Sequence, residues 1–217
     1  MRFAPEGTPF IGAGWTLVAL CLWAALRWGG WMSYAPLAAT LTIGVWLLVF
    51  FRDPRRDGPR GDRLLIAPAD GRVVSIVETD EPEYLRTRAM RISVFMNVFD
   101  VHVNRYPASG TVEFYRYHPG KFVHAATDKA SADNEQASLG MAGPHGALLV
   151  RQIAGLIARR IVTDGRPGAS AVQGERFGMI RFGSRVDLFV PLDRRPAARV
   201  VVGDRVRAGR TVLAEYP

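Results

Sequence analysis

Hydrophobic positions run together almost without interruption over the first fifty residues. Phe10–Leu26 and Tyr34–Phe51 are apolar stretches of 17 and 18 residues, close to the roughly 20 that a membrane-spanning helix needs. Between Gly7 and Phe51 the one side chain with a full charge is Arg27. A helix on the surface of a soluble domain carries a polar stripe, and neither stretch has one. The link "RWGGWMS" holds two glycines as helix stops, flanked by Trp28 and Trp31, and tryptophan favours the membrane interface. The pattern predicts a membrane-associated helical hairpin over residues 1–51, spanning or dipping in. Arg2 precedes it, and Arg52, Arg55 and Arg56 follow it. The positive-inside bias then places both ends, and whatever follows, on the cytoplasmic face of the cell membrane. A cleavable signal peptide is disfavoured by the single basic residue at the start and by the second apolar run.

Beyond residue 51 the pattern changes. Residues 52–61, "RDPRRDGPRG", read as a basic linker at the membrane surface. From residue 62 to the C-terminus the period is mostly that of strands. "RLLIAPADGRVVSIVE" has two β-rich arms around a Pro-Asp-Gly turn signal, "RISVFMNVFDVHVNRY" alternates, and "ARVVVGDRVRAGRTVLAEY" reads as another strand–turn–strand unit. "GALLVRQIAGLIARRIV" leans to strand on its β-branched content, and "DKASADNEQASLG" reads as a loop or short helix. The expected fold class is mostly β (α+β): one β-rich domain, residues 62–217, of packed strand–turn–strand units behind a helical hairpin.

Composition adds two limits. A net charge of +8 with a pI near 10.3 calls for an anionic partner, nucleic acid or a negatively charged membrane. The single cysteine, Cys21, excludes an intrachain disulfide and any multi-cysteine zinc site.

The chemistry-bearing residues are few. If "VFDVHVNRYP" is a continuous strand, Asp100, His102 and Asn104 share one face, and histidine is the usual proton carrier near neutral pH. A strand with one solvated face would look the same. Asp70 in "PADG" is ordinary turn chemistry. His118 precedes Pro-Gly and reads as a turn residue, while His124 and His145 lie in polar stretches. Lys121 and Lys129 read as surface charges. No Walker loop, dinucleotide fingerprint, nucleophile elbow or zinc-protease helix is present.

"RFGSRVD", residues 181–187, stands out because Gly183-Ser184 interrupts an apolar strand-like run. Glycine weakens a strand interior. A serine hydroxyl can attack the carbonyl of the peptide bond before it, and a glycine there leaves that carbonyl unshielded and tolerates strain. The resulting ester can eliminate to dehydroalanine, which hydrolyses to a pyruvoyl group, an electron sink of the kind pyridoxal phosphate provides elsewhere.

"FFRDPRR", "APADG", "FMNVFDVHVNRYP", "YHPGK", "DNEQ" and "RFGSRVD", in this order and spacing, resemble the short bacterial and archaeal form of phosphatidylserine decarboxylase. The resemblance implies a proenzyme that cuts itself between Gly183 and Ser184 into a large chain, 1–183, and a small chain, 184–217. It implies conversion of phosphatidylserine to phosphatidylethanolamine and carbon dioxide through a Schiff base on a pyruvoyl group made from Ser184, with neither metal nor pyridoxal phosphate. Asp70, Asp100 and His102 match processing residues of the longer branch of that family. A second histidine of that branch corresponds to Arg105 here, which leaves the processing base open, with His102 the default. Arg105, Lys121 and Lys129 are candidates for the lipid phosphate. The implied partner is phosphatidylserine in an anionic membrane, with no nucleic acid, and a homo-oligomer is left open. Two rivals remain: a membrane-anchored lipoyl-like binding module, whose turns would be expected to carry a lysine, and a serine hydrolase using Ser184.

Overall fold

The charge-free N-terminal sequence forms two helices. A computed structural model describes residues 2–120, 134–155, 160–181 and 184–217, and the chain divides into two compact units, Met1–Arg55 and Arg56–Pro217. In the first unit, α1 (Thr8–Trp28) and α2 (Trp31–Phe50) are joined through Gly29 and Gly30, both at positive φ (65° and 76°), which an L side chain adopts only with strain. Two residues suffice to turn the chain. At about 1.5 Å per residue each helix is roughly 30 Å long, and both are long and apolar enough to cross a membrane. Their outward surface is apolar, with Leu20, Trp23, Leu26, Trp28 and Trp31 exposed. Short strands β1 (Arg2–Phe3) and β2 (Arg52–Asp53) pair antiparallel, Arg2 opposite Asp53, and tie the two ends of the hairpin together.

The second unit is built from strands. They are β3 (Leu64–Ile66), β4 (Gly71–Glu81), β5 (Thr87–Met96), β6 (Val103–Arg105), β7 (Gly110–His118), β8 (Gln136–Gly143), β9 (Gly146–Ala154), β10 (Arg160–Thr163), β11 (Ser170–Ala171), β12 (Arg176–Arg181), β13 (Ser184–Pro191), β14 (Ala197–Ala198), β15 (Arg205–Val206) and β16 (Val212–Glu215). Eight form one antiparallel sheet in the order β11-β7-β8-β9-β13-β5-β4-β15. Two three-stranded sheets, β10-β12-β6 and β14-β16-β3, accompany it. Side chains alternate across the large sheet. Ile92, Val94 and Met96 of β5, Val150 and Ala154 of β9, and Val186, Leu188 and Val190 of β13 enter one continuous core with Leu139 and Phe177. Burying a side chain of this size contributes about 1.5–3 kcal/mol, so the strands around β13 are the best-anchored part of the domain. The fold is mostly β with an N-terminal helical hairpin.

Several local readings change. The arms flanking "PADG" do not pair with each other: β3 joins β16 and β4 joins β5. The stretch "NEQASLG" is not a loop or helix, since Gln136–Gly143 is strand β8, fully paired between β7 and β9. The unit read over residues 198–216 contains only short strands, because Asp204 turns the chain, accepting the Val201 amide at 2.9 Å. His118 ends β7 rather than a turn and reaches Glu83 at 3.2 Å, and the His145 ring stacks on Tyr216.

Candidate active site

Strand register collects the chemistry-bearing segments at one end of the large sheet. Ser184 opens β13 and pairs with Met96 on one side and Ala154 on the other. One strand further, Arg72 is opposite Phe95, so Asp70-Gly71 lies two strands from Ser184, about 10 Å at normal strand spacing. Asn134 is buried beside Ala154 and donates to its carbonyl at 2.7 Å. "PADG", "FMNVFDVHVN", Asn134–Gln136 and the residues from Ser184 onward therefore meet where β5, β9 and β13 share an end.

Ser184 is wholly buried. Its hydroxyl lies 3.3 Å from the Met96 sulfur, a weak acceptor. A hydroxyl parked on sulfur loses little when it turns to attack. Gly183 lies outside the described residues, as do Lys121, Lys129 and His124.

The strand expected over residues 98–104 is interrupted. Asn97–Asp100 form a turn closed by the Asp100 amide on the Asn97 carbonyl, 3.0 Å. The Asp100 carboxylate caps that turn by accepting the Asn97 amide at 2.9 Å. Asp100 thus leaves the common face predicted for it, because the turn satisfies the Asn97 amide on Asp100 and the Phe99 amide on Asn97 Oδ1 at 2.8 Å. Nor is the other face solvated: Val101, His102, Val103 and Asn104 are all buried.

His102 Nδ1 lies 3.1 Å from the Asp100 carbonyl oxygen. A carbonyl only accepts, so Nδ1 is the donor in this hydrogen bond. Asp100 therefore orients the imidazole through its main chain, not its carboxylate. The His102 carbonyl accepts the Ile180 amide at 3.3 Å, which places residue 102 opposite the segment leading into Gly183.

Asp70 is buried and held on both oxygens. Oδ2 accepts from Arg56 Nη2 at 2.6 Å, and Oδ1 accepts the Ala208 amide at 2.8 Å. Burial nevertheless pushes its carboxyl above the ordinary value, outweighing the pull of the Arg56 charge and the Ala208 amide, and the Asp100 charge adds to the rise. Arg56 was missed in the sequence, where it looked like one charge among several in a linker. Its only signal was its place in "FFRDPRR". Arg105 is buried and donates to the Gly174 carbonyl at 3.1 Å, which makes it a brace between loops.

The arrangement has a buried serine at a strand start, a histidine whose main chain pairs with the preceding strand, and a buried carboxyl two strands away. The phosphatidylserine decarboxylase family model matches residues 43–214, about four-fifths of the chain. A protein of Symbiobacterium thermophilum named phosphatidylserine decarboxylase proenzyme is 44% identical over 215 residues, covering 99% of this chain and 95% of that one. With its motifs gathered around Ser184 and a match of that extent, the chain belongs to the phosphatidylserine decarboxylase family.

Proposed function

We propose that the chain matures by cutting itself between Gly183 and Ser184, and that residue 184 then carries a pyruvoyl group. As a member of its family the chain converts phosphatidylserine to phosphatidylethanolamine and carbon dioxide. The observation that carries the proposal is Ser184 itself, fully buried, at the start of the central strand, with its hydroxyl against sulfur.

In the cut, Ser184 Oγ bonds to the Gly183 carbonyl carbon, the Gly183–Ser184 C–N bond breaks, and the nitrogen takes up a proton. Removal of the Ser184 α proton then breaks the Cβ–Oγ bond. The Gly183 carboxylate leaves and dehydroalanine remains; water enters and ammonia departs to give the pyruvoyl group. The site fits such a group. A keto acyl group is no larger than serine, its neighbours Met96 and Ala154 bring no charge, and pairing with β5 and β9 keeps the new chain end in place. Once present, the group supplies an electrophilic carbonyl that takes the substrate amine and accepts the electron pair released with carbon dioxide.

His102 Nε2 is our choice to move protons, as base in processing and as acid towards the product α carbon. The Asp100 main chain holds its ring, and Asp70 belongs to processing through its raised pKa and its place at the same sheet end. The lipid phosphate goes to basic side chains, with Arg105, Lys121 and Lys129 as the candidates. The helical hairpin holds the enzyme in the cell membrane, with the decarboxylase unit on the cytoplasmic face, beside an anionic lipid.

Intact mass and a lipid assay test the reading together. Wild type should give two chains, the smaller beginning with pyruvoyl at 184, and should form phosphatidylethanolamine. Ser184→Ala should stay whole and inactive, and His102→Ala should slow the cut, the decarboxylation or both. A Ser184→Ala chain that is cut at the same bond, or that still decarboxylates, overturns the proposal.

A further inference from the structure

A line of buried polar groups leads to Ser184 from the far side of the core. In the sheet β10-β12-β6, Asn104, Gly178 and Thr163 stand in one row. Gly178 is the gap in that row. A Cβ there would lie 2.2 Å from the Val162 carbonyl oxygen and 3.2 Å from Gln152 Nε2. Gln152 comes from β9 in the large sheet, two residues before Ala154, the partner of Ser184. Its amide fills the space above Gly178. Nε2 donates to Asn104 Oδ1 at 2.8 Å, and Oε1 accepts from Thr163 Oγ1 at 2.7 Å. Asn104 Nδ2 in turn points at the Met96 sulfur, 3.8 Å away, the same sulfur that receives the Ser184 hydroxyl.

The polarity of this line is determined. The Val162 carbonyl, 3.5 Å from Gln152 Nε2, can only accept, so nitrogen must lie on that side. Oxygen then faces the Thr163 hydroxyl. Asn104 must offer its oxygen to Gln152 and its N–H to the Met96 sulfur. All four polar residues are buried, and a buried network in which every member is satisfied is rigid.

We propose that Asn104 is a positioning residue for self-cleavage, its amide N–H held by Gln152 and Thr163 against the Met96 sulfur that also receives the Ser184 hydroxyl. This rests on the reading that Ser184 makes the cut. The line also bridges the two sheets on either side of the scissile bond, because β12 runs into that bond and β13 leaves it. It therefore sets the rotamer and the approach of the attacking hydroxyl, and it acts on the acyl shift rather than on the later elimination.

The test is cell-free synthesis of the full chain in detergent micelles with a pulse of labelled leucine. The appearance of the 34-residue small chain (217 − 183) is followed with and without hydroxylamine, which opens an accumulated ester. Asn104→Asp, Gln152→Glu and Thr163→Val should each slow the cut at least about tenfold while keeping the wild-type melting temperature within a few degrees. Thr163→Ser, which keeps the hydroxyl, should restore the rate. Hydroxylamine should not speed the slow variants, since their ester does not build up. Should Gln152→Glu fail to fold, the Thr163→Val and Thr163→Ser pair decides. Equal rates for that pair, wild-type cutting by folded Asn104→Asp, or rescue by hydroxylamine overturns the inference. A wild-type chain that stays whole removes the proposed function and this inference with it; a wild type that is cut beside variants cut equally fast removes this inference alone.

Discussion

Asp70 shows two opposing demands on one carboxyl. Arg56 at 2.6 Å favours the charged form, and burial favours the neutral one. Burial prevails, so the folded chain binds this proton more tightly than an unfolded chain with its ordinary value of 3.8. The sign of the linkage follows. The stabilisation from this group is complete below pH 3.8 and is lost as pH rises through the elevated value. Asp70→Asn has no such titration. In thermal unfolding from pH 4 to pH 7, the melting temperature of wild type relative to Asp70→Asn should fall as pH rises, and a difference that grows with pH would mean that Arg56 governs the site. The same residue was read in the sequence as turn chemistry, and it does sit in a turn. What the sequence could not reveal was the arginine 14 positions earlier that makes the turn a charged, buried site.

Strand β13 is the element on which the rest depends. One face is Ser184, Val186, Leu188 and Val190. On the other face, Arg185 makes two hydrogen bonds to Asp187, at 2.8 and 2.9 Å, and both side chains are at most 1% exposed. This explains the charged pair flanking an apolar run: alternation puts positions 185 and 187 on the same side, and each charge is buried with its partner. Breaking such a pair by removing one member costs about 3–5 kcal/mol, whereas replacing both with apolar residues of similar size is often neutral. Asp187→Ala should therefore lower the unfolding free energy by about that amount in denaturant titration of the full chain in detergent, and Arg185→Met with Asp187→Leu should recover most of it. Equal losses from the single and double changes would mean that the pair is not the unit of stability.

At the scale of the whole molecule the chain is two units with different surfaces. The hairpin exposes tryptophan and leucine along α1, and the strand unit carries most of the arginines. Full-length protein should fractionate with membranes and need detergent for release. A chain lacking Met1–Phe51 should leave the membrane fraction in large part. The residue that stays should wash off with salt, because attraction to anionic lipid is screened within about 8 Å at physiological ionic strength. Recovery of the full chain in the soluble fraction without detergent would contradict this.

The sequence by itself determined the hairpin and the mostly β character of the remainder, and it singled out Gly183-Ser184 as a candidate. Each rests on local information: charge-free length, side-chain period, and a residue pair whose chemistry involves only its own peptide bond. The resemblance of six ordered segments added the family. Tertiary structure decided which segments meet. "PADG" lies two strands from Ser184 because β4, β5 and β13 pair in that order, and Asn134 reaches Ala154 because residue 136 begins a strand and not a helix. It moved Asp100 off the common face, since a turn at Asn97–Asp100 satisfies the backbone better than a continued strand end. It also brought Gln152 over Gly178 to Asn104, a contact 48 residues apart in the chain. Period and propensity describe one strand at a time, whereas register, burial and the partner of each buried polar atom are set when sheets pack.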